Sequence, residues 1–229
     1  MSYDNVLFGK MDQEIGRQVA SRGHDFRLIY DVGGSNGAWM NIMSKVWPEA
    51  RFELFEPLAE IHPKYKEMMI YLEATHANSR MHAFALGEAD GTIQMNMYDA
   101  PAGSTTLDVP ADAGTTAVEV PMRSIDSVIA EGLAGTPDLI KMDIQGGELA
   151  ALKGAEKTLP DVHFLMLETW VQRAYGRRTP LLHEIIGFLA PLGFVPYDFG
   201  DLFRDPNGAC SAIDVWFANR RFVKDAHLY

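Results

Sequence analysis

Short apolar runs rich in β-branched and aromatic residues alternate with helical stretches along almost the whole sequence, and glycine, proline or a carboxylate marks most changeovers. Such alternation needs crossover connections, so it predicts an α/β domain with a mostly parallel sheet. Arg27–Val32 reads as the first strand and runs into Gly33-Gly-Ser-Asn-Gly37. A helix over Ala38–Val46 follows, stopped by Pro48. Arg51–Glu56, His82–Leu86, Thr92–Tyr98 and Ala117–Pro121 read as further strands, with a helix over Pro63–Ala74 and a short one over Ser124–Ala130. Ala100–Thr116, rich in Gly, Pro, Ser, Thr and Asp, is the longest loop, and long loops in compact domains tend to carry function.

In the second half, Asp138–Asp143 and Val162–Glu168 are strands, the latter almost continuously apolar as a strand covered on both faces should be. Glu148–Leu159 is helical between them. Thr179 as N-cap and Pro180 at the first position open a helix with the stripe Leu181, Ile185, Phe188 and Leu192, closed by Gly193. Phe194–Phe199 and Ala212–Ala218 end the fold, and the short Leu202–Cys210 link suits an antiparallel pair. About seven core strands result, in one domain over 25–229, preceded by a helical extension over 1–24.

The 229 residues carry 20 Lys and Arg against 31 Asp and Glu, a formal charge of −11. So acidic a surface repels phosphate backbones, and nucleic acid is not an expected partner. Cys210 stands alone, which fits a reducing compartment. Met1–Lys10 has no leader pattern, no run reaches the length of a membrane span, and the C-terminus carries no lipidation signal. The expectation is a cytoplasmic chain without integral membrane association. Oligomeric state is left open, a homodimer included.

Asp31-Val-Gly-Gly-Ser-Asn-Gly37 follows a strand and opens a helix, which is where nucleotide-like ligands bind in a doubly wound sheet. Gly33, Gly34 and Gly37 permit a sharp turn and close approach of a ligand, with Ser35 and Asn36 between them. Glu56, 19 residues after Gly37, ends the next strand, where a carboxylate accepts hydrogen bonds from a ribose diol. The spacing misses the G-x-G-x-x-G of dinucleotide sites. Asp31 ahead of the glycines would repel a pyrophosphate and suits a ligand with cationic groups, so S-adenosylmethionine is favoured over NAD. An NAD-dependent oxidoreductase is the competing enzyme, and an inactive binding module of the same fold the competing non-enzyme.

A second constellation is Ile140-Lys-Met-Asp-Ile-Gln-Gly-Gly-Glu148. Asp143 closes a strand at the same sheet edge as Gly33 and Glu56, and an N-cap is its bland alternative. Glu148 starts a helix, where the macrodipole alone favours a carboxylate.

With these pieces the sequence resembles the FkbM-type methyltransferases, a branch of the class I S-adenosylmethionine-dependent enzymes. The resemblance rests on Asp31–Gly37, Phe55-Glu-Pro57, Ala85-Leu-Gly87, Gly103-Ser-Thr-Thr-Leu107, Leu139–Leu149, Leu152-Lys-Gly154 and Glu168. Gln145 and Gly34 depart from it, standing where the family usually has Glu and Ala. The resemblance implies a Rossmann-like, seven-stranded, mostly parallel sheet with an antiparallel last strand and helices on both faces. It also implies cofactor contacts from the glycine turn, Glu56-Pro57 and Ala85-Leu86, and methyl transfer to oxygen, often of a sugar or polyketide hydroxyl.

An alcohol is a weak nucleophile, so methyl transfer to it benefits from a general base. Asp143, which also borders the cofactor, is the first candidate, followed by Glu168 and His183. Alternatively, Asp143 and Glu168 hold Mg²⁺; no His/Cys spacing points to zinc. The acceptor, a small molecule or carbohydrate, is expected to meet Ser104, Thr105, Glu148 and Trp170. Trp39, Tyr175, Tyr197, Phe203 and Thr106 are further candidates for its pocket.

Overall fold

The structure is a computed structural model that describes residues 9–223. The first part of the expected N-terminal extension and the end of the chain lie outside the described residues. In chain order the elements are α1 (Lys10–Ser21), β1 (Leu28–Val32), α2 (Ala38–Met43), β2 (Arg51–Phe55), α3 (Pro63–Thr75), β3 (Ser79–His82), β4 (Ala85–Leu86) and β5 (Gly91–Met97). Next come β6 (Thr116–Arg123), α4 (Ile125–Ala130), β7 (Leu139–Met142), α5 (Glu148–Lys153), β8 (Phe164–Trp170), α6 (Leu182–Leu189), β9 (Phe194–Arg204) and β10 (Cys210–Asn219).

Seven strands form the main sheet in the order β3-β2-β1-β7-β8-β10-β9. β10 alone runs antiparallel to its neighbours. β1, β7 and β8 are buried along their whole length, so their apolar runs face both ways. Tyr30, Val32, Ile140, Met142, Leu165 and Leu167 join a core with α4, α5 and α6. The alternate residues Ile29, Leu139, Phe164 and Met166 join a second core with α1, α2 and α3. α1 therefore lies against the sheet, with Ile15 and Val19 buried in that second core.

The sequence pattern missed a second sheet. β5 pairs antiparallel with β6, and β4 joins β6 in parallel, in the order β4-β6-β5. The expected strand His82–Leu86 is thereby divided. His82 stays with the main sheet, opposite Phe55 and 2.8 Å from the Glu53 carboxylate, whereas Ala85 and Leu86 pair with Met122 and Arg123.

Two helices are shorter than their patterns. α5 is capped by Gly154, where a Cβ would lie 2.0 Å from the Gly87 carbonyl oxygen, so only glycine fits. α6 starts two residues after Pro180, since Leu181 still bridges to Trp170 and Glu184 turns back to accept its N–H at 2.7 Å. Thr179 is not the cap: its hydroxyl accepts the Tyr175 N–H at 2.9 Å. Gly193 does close this segment, in the left-handed region at φ +90°.

Candidate active site

A cavity of about 460 Å³ opens at the carboxyl ends of β1, β2 and β7. One end is built by the glycine turn. Gly33 has φ +74°, and a Cβ on it would sit 2.0 Å from the Asp143 carbonyl oxygen, so no other residue fits. The N–H groups of Gly33 and Gly34 both bond the Phe55 carbonyl, holding the turn against β2. Asn36 accepts the Ala38 N–H at 3.1 Å at the start of α2.

Glu56 borders the same end. Its oxygens accept the N–H of Ser35 and of Leu58, each at 3.0 Å. Burial pushes its carboxyl up to about 7, against the pull of those two N–H groups. The hydroxyl of Tyr65 lies 2.7 Å from that of Ser35. Pro57, Ala85, Leu86, Ile93, Met95 and Met122 form an apolar wall, much of it from the second sheet.

Asp31 is not among the residues that line the cavity. It is fully buried, directly opposite Lys141 in register, with Oδ1 3.0 Å from Lys141 Nζ. The expected direct meeting with a cationic ligand is therefore corrected: the cation that Asp31 meets is Lys141. Burial raises the Asp31 carboxyl, and the Lys141 charge opposes the rise. Lys141 Nζ also donates to the Gly33 carbonyl at 2.9 Å. Burial works against its charge, but Asp31 and Asp143 outweigh it and leave the ammonium firmly protonated. Lys141 lines the cavity and was not singled out from the sequence. Its signal was there to find: a lysine inside an apolar central strand needs a buried partner, and Asp31 has the same need.

The other end is acidic. Asp143 and Glu168 both line the cavity, and Gln145 stands between them. Gln145 Nε2 donates to Asp143 Oδ1 at 2.8 Å and to Glu168 Oε2 at 3.1 Å. Its Oε1 accepts the Tyr175 hydroxyl. The opposite amide orientation would set an oxygen against two carboxylates. Gln145 itself is held at φ +54°, rare for a residue with a side chain. Burial raises Glu168 well above the ordinary carboxylate range, and the nearby Asp143, Glu148 and Asp214 add to the rise.

Several expected substrate contacts lie elsewhere. Thr105 is fully buried, and its hydroxyl donates to the Gln145 carbonyl at 2.7 Å; Ser104 and Thr106 reach the cavity instead. Glu148 is also outside the lining. It accepts the N–H of Ile144 at 2.9 Å and of Gly146 at 3.3 Å, and burial pushes it up to about 7. Trp170 is buried edge-on to Tyr175, away from the lining. His183 is exposed on α6 and does not reach the cavity. Tyr197 packs edge-on against Phe164. Trp39 and Phe203 do line the cavity.

Divalent metal does not fit the acidic end. The Gln145 amide turns donors, not acceptors, toward both carboxylates. Among the described residues no group of three or more His, Cys, Asp or Glu is placed to hold a metal ion. Likewise, no helix among them is long and apolar enough to cross a membrane.

The strand order, the single antiparallel strand and a glycine-lined cavity at the strand ends define a class I methyltransferase fold. Residues 31–196 match the Methyltransferase FkbM domain, and the chain belongs to that family of methyltransferases. It is 24% identical over 170 residues to the 2-O-methyltransferase NoeI of Sinorhizobium fredii, covering 67% of this chain and 68% of that protein. It is 24% identical over 157 residues to the hexuronic acid methyltransferase AglP of Haloferax volcanii, covering 69% of this chain and 62% of the relative. A crystal structure of an FkbM methyltransferase from Methylobacillus flagellatus superposes with a TM-score of 0.52 at 21% identity. That match covers 83% of this chain but 43% of the larger protein.

Proposed function

We propose that this chain transfers a methyl group from S-adenosylmethionine to a hydroxyl of a small, sugar-like or natural-product acceptor. The observation that carries the reading is one cavity with two chemically different ends: a glycine turn with Glu56 and an apolar wall, and the Asp143–Gln145–Glu168 cluster. When bound, the cofactor supplies an electrophilic methyl group on a sulfonium, open to in-line displacement by an acceptor oxygen.

The residues fit that cofactor. Gly33 keeps the turn free of a Cβ, and Glu56 is held by backbone N–H groups with lone pairs left for a ribose diol. Ala85, Leu86 and Met122 offer an apolar surface for a base. At the far end Glu168 accepts the acceptor hydroxyl proton as the new C–O bond forms, and Asp143 holds the geometry through Gln145. The raised affinity of Glu168 for a proton suits that role, because a base works best when its pKa lies near the working pH.

The names of two relatives, a 2-O-methyltransferase and a hexuronic acid methyltransferase, favour oxygen as the methylated atom and a sugar as the acceptor. The lining itself offers no unpaired cation to an anionic group of the acceptor. It carries three carboxylates, and its one lysine is already paired with Asp31.

Two measurements test the reading. Calorimetry should show S-adenosylmethionine binding and no NAD binding; the reverse result sinks the cofactor assignment. Mass spectrometry of hydroxylated acceptors incubated with a methyl-labelled cofactor should then show label on oxygen. Label confined to nitrogen or carbon would overturn the acceptor class.

A further inference from the structure

α1 lies outside residues 31–196, the stretch matched to the FkbM family, yet it holds a residue of the cavity wall. Asp12, in its first turn, is 2% exposed. Each of its carboxylate oxygens accepts one indole N–H: Oδ2 that of Trp39 and Oδ1 that of Trp216, both at 3.0 Å. Trp39 belongs to α2, immediately beyond the glycine turn, and lines the cavity. Trp216 belongs to β10, paired opposite Met166 of β8. One carboxylate thus ties a wall of the cavity to β10 of the main sheet.

The rest of α1 keeps that carboxylate in place. Gln13 Nε2 donates to the Ile42 carbonyl at 3.3 Å. Gly16 lets α1 lie close to α2, since a Cβ there would come within 2.7 Å of Met43 Cε. Burying a carboxylate in an apolar layer is unfavourable, and an apolar side chain of similar size would serve packing as well or better. What the carboxylate adds is direction: it fixes two indole N–H groups at once. Without it the Trp39 N–H is left buried and unpaired, and the ring gains from turning toward the water of the cavity.

We propose that Asp12 is a positioning residue for the cofactor, acting through Trp39, so that α1 is a working part of the binding site. This rests on reading the cavity as an S-adenosylmethionine site. Asp12 touches neither reacting group, and its effect passes through the indole.

A double-mutant cycle on the full chain tests it, with S-adenosylhomocysteine as the calorimetric probe. Asp12→Leu should weaken binding about tenfold, the scale of one lost hydrogen bond to a charged group. Asp12→Asn, which keeps one acceptor, should fall between and serves where the leucine variant does not fold. In a Trp39→Phe background, which has no N–H to hold, either change should have little further effect. An equal loss in both backgrounds overturns the proposal, and so does an unchanged affinity in Asp12→Leu. Failure of the unmodified protein to bind the probe sinks the cofactor reading first and this proposal with it. A readout independent of cofactor is the Trp39 indole N–H resonance, assigned by its loss in Trp39→Phe. It should be protected from hydrogen exchange and lose that protection in Asp12→Leu. An unprotected resonance in the unmodified protein is again fatal to the proposal.

Discussion

Gln145 shows how much one residue decides in the acidic end of the cavity. Its two N–H donors go to Asp143 and Glu168, and its oxygen takes the Tyr175 hydroxyl. A glutamate there would have no donor to give and would add a third negative charge. Gln145→Glu is therefore expected to make the cluster bind Mn²⁺, which electron paramagnetic resonance would detect; a variant that gains no binding would show that the amide is not what keeps a cation out. Glu168 itself must be ionised to take a proton. Its affinity for that proton is raised first by burial and then by Asp143, so turnover should climb with pH well above the ordinary value of 4.5. Glu168→Gln should lower turnover by about 10²–10⁴-fold, the usual contribution of a general base, and leave S-adenosylhomocysteine affinity nearly unchanged. A flat pH profile in the unmodified enzyme, or full turnover in the variant, would move the base to another group.

The element that shapes the cavity most after the main sheet is the three-stranded sheet with its loop. Between β5 and β6 the chain crosses the cavity, and Thr105 pins it: its backbone pairs with Asn96, and its hydroxyl reaches the Gln145 carbonyl. Thr105→Val keeps the shape and removes the tie. It should destabilise the loop by about 1–3 kcal/mol, the cost of a buried group left unpaired. Hydrogen exchange over 98–110 should quicken, and KM for the acceptor should rise more than kcat falls; an undisturbed loop would deny Thr105 its anchoring role. This sheet is also where the sequence was hardest to read. The alternation of apolar runs and helices marked the main sheet well, because a buried parallel strand has to be apolar on both faces. Nothing in Thr92–Tyr98 or Ala117–Pro121 says that they pair with each other and not with the main sheet, since both are half-exposed runs. His82 stays with the main sheet beside Glu53, a partner 29 residues away that no local pattern reveals. For the same reason residue type alone could mark Gly33, Glu56, Asp143 and Glu168. It could not say that Thr105 and Glu148 spend their polar atoms on nearby backbone, or that the Asp31 charge is met by Lys141.

At the scale of the whole molecule, the formal charge of −11 overstates the charge carried near neutral pH. Burial raises Asp12 to about 6 and both Glu56 and Glu148 to about 7, and it lifts Glu168 and Asp214 as well. Each of these groups holds its proton more tightly folded than unfolded. For Asp12, Glu56 and Glu148 the contribution to stability is therefore complete below the unfolded value, near 4, and is lost as pH rises through the folded value of 6 to 7; for Glu168 and Asp214 it is lost in the same direction. Asp90, Asp205 and Glu184 are shifted the other way by backbone N–H groups, and they lose their contribution only on acidification below the ordinary carboxylate range. Asp90 is exposed and Asp205 and Glu184 are partly exposed, so solvent screens all three and their opposing effect is small. The balance puts maximum stability on the acidic side of neutral. Between pH 5.5 and 8 Glu56 and Glu148 each give up on the order of 2 kcal/mol and Asp12 about 1 kcal/mol, and about 2–4 °C in Tm accompanies each kcal/mol in a chain of this size. Calorimetric Tm should thus fall by roughly 10–20 °C over that range. Glu148→Gln, which has nothing to titrate, should flatten the slope. A Tm that climbs with pH across the same window would mean that these acids are ionised in the folded protein and that the cavity is wetter than its walls imply.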